Sequence, residues 1–373
     1  MGNENRKMKI GILTLPLHNN YGGILQAYAL MTTLKRKGHE ARLIKYNPNK
    51  PISKWKLPFA IIKRLISKYI LGRDIVILKE KKVKKDNQNI QEFIDQYVQP
   101  QTKELFGSHT LTQLSSYKFD ACIVGSDQVW REKYNPKFIK NYFFDFISDD
   151  NIKKISYAAS FGVDTWDYDP VTTKELKILA GKFDALSVRE DSGVRLCKEH
   201  LGINAELVLD PTMLLQKSDY EQLIVSKLGG ENNLLLYILD ETSQKKAIIE
   251  AVSHAGNYNS FSIGHSKEDE PNPSIINWIE GFSSAQFVVT DSFHGCVFSI
   301  IFNIPFIVIG NNDRGLARFN SLLSLFKLEG RLVTNKNNLK SITDEQIDWE
   351  KVNTILGDQK AKALAFLDNS LKN

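Results

Sequence analysis

Cysteine is scarce: Cys122, Cys197 and Cys296 are the only three in 373 residues. An odd, scattered set supports neither a disulfide framework nor a zinc knuckle, and points to a reducing, cytoplasmic setting. Long apolar runs are also missing. The first eight residues are polar, and the apolar run after them stops at Pro16, too short for a signal peptide. The longest stretch, Cys296 to Gly310, is broken by Ser299, Asn303 and Pro305, short of the ~20 residues of a transmembrane helix. There is no His-x-x-x-His, no CxxC and no DxD after a strand, so no metal is expected. The absence of GxGxxG leaves dinucleotide binding unsupported. No internal repeat or low-complexity tract is present.

What remains is ordinary globular material, 42% hydrophobic and 25% charged, and its length suggests two domains. The net charge of +6 is unevenly placed: Ser53 to Lys85 carries eleven basic and two acidic residues, leaving the rest slightly negative. A generally basic, nucleic-acid-binding surface is therefore excluded. Within Phe59 to Leu71, the residues Ile61, Ile62, Leu65, Ile66, Tyr69 and Ile70 alternate in pairs with Lys63, Arg64, Ser67 and Lys68, predicting an amphipathic helix with a cationic face. Such a helix either packs on its own domain or, with the Lys79 to Lys85 run, touches anionic lipid at the cytoplasmic membrane face.

Residues 8–14 read as a strand, 24–37 as a helix closed by Gly38, and 40–46 as a second strand, making a βαβ unit. Strands follow at 120–124, 154–158, 185–188 and 205–209, with a helix at about 190–200. Asp210-Pro211-Thr212 interrupts the pattern. A second series then begins: strands at 233–239, 260–263 and 286–290, with helices at 245–255 and 275–284. The expectation is an α/β protein with two Rossmann-like domains facing a cleft. The first spans residues 8–211 with a basic helical insertion at about 53–98, the second spans 212–345, and a helical segment occupies 346–373. Ligands in such sheets bind beyond the carboxyl ends of strands, so the loops there are the places to look.

Four loops stand out. Leu15 to Gly23 feeds a helix, and Gly22 and Gly23 would let amides approach an anion; His18 and Asn20 lie in the same loop. Gly125-Ser126-Asp127-Gln128-Val129-Trp130-Arg131 mixes hydroxyl, carboxylate, amide and aromatic groups as sugar sites do, or else supplies a helix cap at Ser126 or Asp127 above a core tryptophan. Arg189 ends a strand, where a guanidinium either holds a carboxylate or phosphate in the cleft or pairs with Glu190 or Asp191. In Asp291-Ser292-Phe293-His294-Gly295, an apolar strand ends and an apolar helix begins. His294 there sits between a helix dipole that lowers an imidazole pKa and a carboxylate or bound anion that raises it, a setting suited to acid–base work. Asp291 and Ser292 are expected to orient the imidazole or cap the helix. His39, His109, His200, His254 and His265 read as surface or turn residues.

Taken together, His18-Asn-Asn-Tyr-Gly-Gly23, Gly125-Ser-Asp-Gln-Val-Trp130, Ser156-Tyr-Ala-Ala-Ser-Phe-Gly162, Ser187-Val-Arg-Glu190, Asp210-Pro-Thr-Met-Leu214 and Thr290-Asp-Ser-Phe-His-Gly295 resemble the polysaccharide pyruvyl transferases. The blocks lie in that family's order from about Lys9 to Gly310. The first loop departs from it, because the Asn-x-Gly-Asp of many members is here Asn20-Tyr21-Gly22-Gly23. The resemblance implies a glycosyltransferase-B-like fold and transfer of an enolpyruvyl group from phosphoenolpyruvate, with no further cofactor, to a sugar or lipid-linked oligosaccharide, giving a pyruvate ketal. It maps the functional Arg and His onto Arg189 and His294. Two alternatives stay open: a nucleotide-sugar-dependent glycosyltransferase of the same architecture, or a non-catalytic glycan-binding relative.

Overall fold

The KIGIL run, Lys9–Leu13, forms β1 and is buried from its second residue on. It is followed by β2 (Glu40–Leu43), the short β3 (Tyr46–Asn47) and β4 (Leu105–Phe106), then β5 (Ala121–Val124), β6 (Lys153–Ala159), β7 (Ala185–Val188) and β8 (Glu206–Leu207). Six of these make a parallel sheet in the order β2-β1-β5-β6-β7-β8, while β3 and β4 pair apart. The second series gives β9 (Asn233–Tyr237), β10 (Asn259–Ser262), β11 (Phe287–Thr290), β12 (Phe306–Ile309) and β13 (Leu332–Val333), parallel in the order β10-β9-β11-β12-β13. The computed structural model describes residues 6–53, 55–225, 230–264, 270–310, 315–335 and 339–372.

These are two Rossmann-like domains of the glycosyltransferase-B kind. Each sheet reverses its strand order once, between β1 and β5 and between β9 and β11, which is where a crevice opens at the strand ends. The loops after these four strands carry most of the residues singled out above.

Of the three apolar clusters among the described residues, one is shared by the two domains and each domain has a further one of its own. A continuous apolar cluster runs from Ile10 and Ile12 through Trp278 and Phe298 to Phe366. Tyr21 stacks on Trp278 with ring centroids 6.0 Å apart, and its hydroxyl donates to the Pro273 carbonyl at 2.8 Å. The helix Trp349–Leu371 lies back against the first sheet, with Phe366 against Tyr157 and Asp368 paired to Lys37 at 2.7 Å.

Several local expectations change. The helix after β1 starts at Tyr21, three residues early, because Asn20 caps it by accepting from the Gly23 amide. No α-helix follows β5, only 3-10 turns at Glu132–Tyr134 and Ile139–Phe143, so Ser126 and Asp127 cap nothing; Trp130 is wholly buried and donates to the Tyr142 carbonyl. The strand at 205–209 shrinks to two residues, and the helix after Arg189 runs from Asp191 to Leu196 before a wider turn. The break at Asp210-Pro211-Thr212 leads into Pro211–Leu214, a fully buried turn packed on the helix Tyr21–Arg36. His39 is buried, with its Nδ1 accepting from the Met8 amide, and His265 lies outside the described residues.

The insertion departs most from a compact surface. Its helices Leu57–Tyr69 and Lys79–Asp86 bury no side chain, whereas Gln88–Tyr97 buries Ile90, Phe93 and Ile94. The reading in which the first of these packs its apolar face on the domain is therefore overturned. Among the described residues, no helix is long and apolar enough to cross a membrane.

Candidate active site

The β11 strand is fully buried and ends at Thr290, whose hydroxyl donates to the Tyr237 carbonyl and accepts from the Ser292 amide. Ser292 caps the next helix, Phe293–Phe302, by accepting from the Gly295 amide at 3.4 Å. Gly295 allows this tight entry, since a Cβ there would fall 2.2 Å from Thr290 Oγ1. His294 is thereby held in the first helical turn, 6% exposed, on the wall of a cavity of about 300 Å³. The volume is at the small end for small-molecule sites.

The cavity lies between the domains. Leu15, Asn19, Asn20, Asp127, Gln128 and Tyr134 line it from the first, and Tyr237, Leu239, Asp291, Ser292, Phe293, His294 and Arg318 from the second. Asn20 reaches across the first domain's crevice to donate to Asp127 Oδ2 at 2.9 Å. Asp127 holds a left-handed backbone (φ 79°) and also accepts from the Gln128 amide. Ser126, buried behind it, donates to Asp210 Oδ2 at 2.8 Å.

Asp210 ties the two halves together. Its Oδ2 takes a 2.7 Å hydrogen bond from Arg189 Nη1 and stands 3.6 Å from His294 Nε2, while Oδ1 caps the Thr212 turn. Burial opposes the charge on Asp210, but His294, Arg189 and Thr212 outweigh it and hold the carboxyl well below its ordinary range. The carboxylate facing His294 is thus Asp210 and not Asp291. Asp291 instead accepts from the Leu239 and Asp240 amides and from Lys245 Nζ, fastening the loop after β9. It neither orients the imidazole nor caps the helix. His294 Nε2 makes no hydrogen bond among the described residues.

Arg189 does not open onto the cleft. Its side chain is 1% exposed, bonded to Asp210 and Ser126, 3.4 Å from Asp127, and stacked 4.6 Å above the Phe293 ring. Neither of the two readings of its sequence covers this, because the decisive partner is Asp210, 21 residues away; the Glu190 pairing is looser, at 3.9 Å. Arg318 also approaches the Phe293 ring, 5.5 Å from its centroid, and it is Arg318 that lines the cavity. Burial, and then repulsion from Arg189, lower the Arg318 guanidinium to about 10, so it remains cationic at neutral pH.

The first-loop glycines serve another purpose than expected. The Gly23 amide is taken by Asn20 Oδ1, and the space a Gly22 side chain would fill is occupied by the His294 ring, with a Cβ falling 1.9 Å from Nδ1. The Gly23 amide is therefore not free to meet an anion. His18 is exposed and lines a separate small cavity with Lys45, Gln91 and Glu104. Asp210, Lys245 and Arg318 were missed as site residues. Asp210 stood in a recognisable block, whereas Lys245 and Arg318 sit in helices with no local signal.

A model of the family described as polysaccharide pyruvyl transferase matches residues 20–313. No curated protein matches the chain. Among solved structures, a glycosyltransferase from Rickettsia africae is similar at 11% identity, covering 99% of this chain and 100% of that one, with a TM-score of 0.52. A protein assigned as a UDP-N-acetylglucosamine 2-epimerase from Listeria monocytogenes is similar at 12% identity over 96% of each chain, with a TM-score of 0.53. At such identities the likeness is one of fold.

Proposed function

The chain belongs to the polysaccharide pyruvyl transferase family, and on that premise we propose that it moves the enolpyruvyl group of phosphoenolpyruvate onto two hydroxyls of one sugar, in a polysaccharide or its lipid-linked precursor. His294 in its imidazolium form protonates the donor methylene, which becomes the methyl group. The adjacent carbon gains oxocarbenium character and is attacked by one sugar hydroxyl. Phosphate departs, a second hydroxyl closes the ketal, and the two hydroxyl protons go to the reformed imidazole and to phosphate or solvent.

The observation that carries this reading is the position of His294, on the cavity wall and backed by the ionised Asp210. Asp210 stands 3.6 Å from His294 Nε2 without bonding it, and no hydrogen bond among the described residues ties up that nitrogen. Arg318 and the first-turn amides of the helix Phe293–Phe302 supply positive potential for the donor carboxylate and phosphate. Asn19, Asp127, Gln128 and Tyr134 on the facing wall offer the mixed donors and acceptors that sugar hydroxyls need. Arg189 acts from behind, holding Asp210 in place and ionised.

The test is phosphate release from phosphoenolpyruvate with and without acceptor glycans, joined to thermal shifts. Acceptor-dependent release and stabilisation by phosphoenolpyruvate are expected. Stabilisation by UDP- or GDP-sugars, with none by phosphoenolpyruvate, would replace this reading by a sugar-nucleotide enzyme.

A further inference from the structure

The helix Leu57–Tyr69 is oriented against the usual rule. Its half-buried positions are Leu57, Ala60, Ile61, Arg64 and Ser67, while Phe59 is 67% exposed, Tyr69 73% and Ile70, just beyond its end, 75%, with Ile62 and Ile66 also in solvent. At 100° per residue those five apolar side chains fall within roughly 100° of arc, a single continuous stripe. Surface helices of globular proteins turn such a stripe inward.

The protein-facing side is instead taken by polar contacts. Arg64, on the protein-facing side, donates through both terminal nitrogens to Glu80 at 2.7 and 2.6 Å and also to the Ile77 carbonyl. This bidentate clasp ties the first helix to the second, Lys79–Asp86, and sets the rotation of the first. Trp55 and Leu71 extend the exposed apolar surface at its two ends. Around it Lys56, Lys63 and Lys68 are exposed, as are Lys79, Lys81, Lys82, Lys84 and Lys85 on the second helix.

An apolar stripe bordered by cations matches a surface that is anionic outside and hydrocarbon within. A nucleic acid would complement the lysines but leave Phe59, Ile62 and Ile66 in water. We propose that this two-helix insertion docks the protein on an anionic bilayer, with Phe59, Ile62, Ile66, Tyr69 and Ile70 sunk into the boundary between headgroups and acyl chains and the lysines on lipid phosphates. The inference stands independently of the reaction.

Flotation of the full chain with vesicles of phosphatidylcholine alone, or of phosphatidylcholine mixed with phosphatidylglycerol, tests it. Binding to the anionic vesicles, weakened by salt, is expected. The variant Ile62→Ser/Ile66→Ser/Tyr69→Ser should bind at least about tenfold more weakly, and Lys63→Glu/Lys81→Glu/Lys82→Glu likewise. Melting temperatures should stay close to the wild-type value, since these side chains are largely in solvent and the one ion pair lost, Lys82 with Asp86, is a surface pair. Failure of the wild type to float, wild-type flotation by either variant, or tighter binding to duplex DNA than to anionic vesicles would each overturn the proposal.

Discussion

His294 owes its place to the absence of a side chain at Gly22. The ring fills the volume a Cβ would take, so the first domain acts as a template for a residue supplied by the second. Gly22→Ala should therefore lower turnover by displacing the imidazole, while His294→Ala should lower it by about 10²- to 10⁴-fold and leave phosphoenolpyruvate binding within several-fold; both are read by phosphate release and donor titration. The two arginines that contact the Phe293 ring should separate cleanly. Arg189→Ala strands Asp210 and Asp127 in the interior and should cost about 3–5 kcal/mol in denaturant melts. Arg318→Ala, at the cavity wall, should instead weaken donor binding in calorimetric titration. Asp210 also makes a pH statement. Its folded carboxyl titrates well below the unfolded one, so below about pH 4 the unfolded chain takes up a proton that the folded chain resists, and stability falls with pH. The acid limb of a stability–pH curve should be shallower in Asp210→Asn than in the wild type.

At the scale of elements, most of the motif blocks turn out to be fastenings between strand tips. Ser156 and Ser187 exchange hydroxyl-to-carbonyl bonds across β6 and β7. Glu190, fully buried with its pKa pushed up by burial, accepts from Ser160 and from the Phe161 and Gly162 amides. The side chain turns back to β6 and makes no cap for the helix that follows it; the Asp191 amide is taken by Ser321 instead. Asp291 and Lys245 do the same for β11 and the loop after β9. Different losses follow from Ser292→Ala and Asp291→Ala. The first removes one cap and should cost about 1 kcal/mol in thermal melts. The second leaves two amides without their acceptor and the buried Lys245 ammonium with only the Asp240 carbonyl and no counter-charge, and should cost more.

For the molecule as a whole, the continuity of the core across both sheets outweighs the division into domains. The Tyr21–Trp278 stack, the buried Asp210 turn and the returning helix Trp349–Leu371 all cross between halves. Calorimetry should show one unfolding transition, with calorimetric and van't Hoff enthalpies in agreement. Two resolved transitions would mean that these crossings contribute little.

The alternation of short apolar strands with amphipathic helices was readable along the chain, and so was the α/β class with two Rossmann-like series, because burial on both faces of a parallel sheet imposes runs that any such strand must show. The family was readable too, since its blocks are local and ordered. So was the location of His294 at a strand end. What the chain did not reveal was which charges meet. Arg189 read as a cleft residue or a partner of Glu190 or Asp191 and is sealed behind the site by Asp210; Asp291 was expected to orient His294 or cap the helix and serves a loop. Pairing between residues tens of positions apart depends on how two sheets are set against each other, and no local spacing encodes that. The same limit applies to the basic helix: its amphipathic pattern is in the sequence, but the clasp of Arg64 on Glu80, formed only in three dimensions, decides that the apolar side faces out.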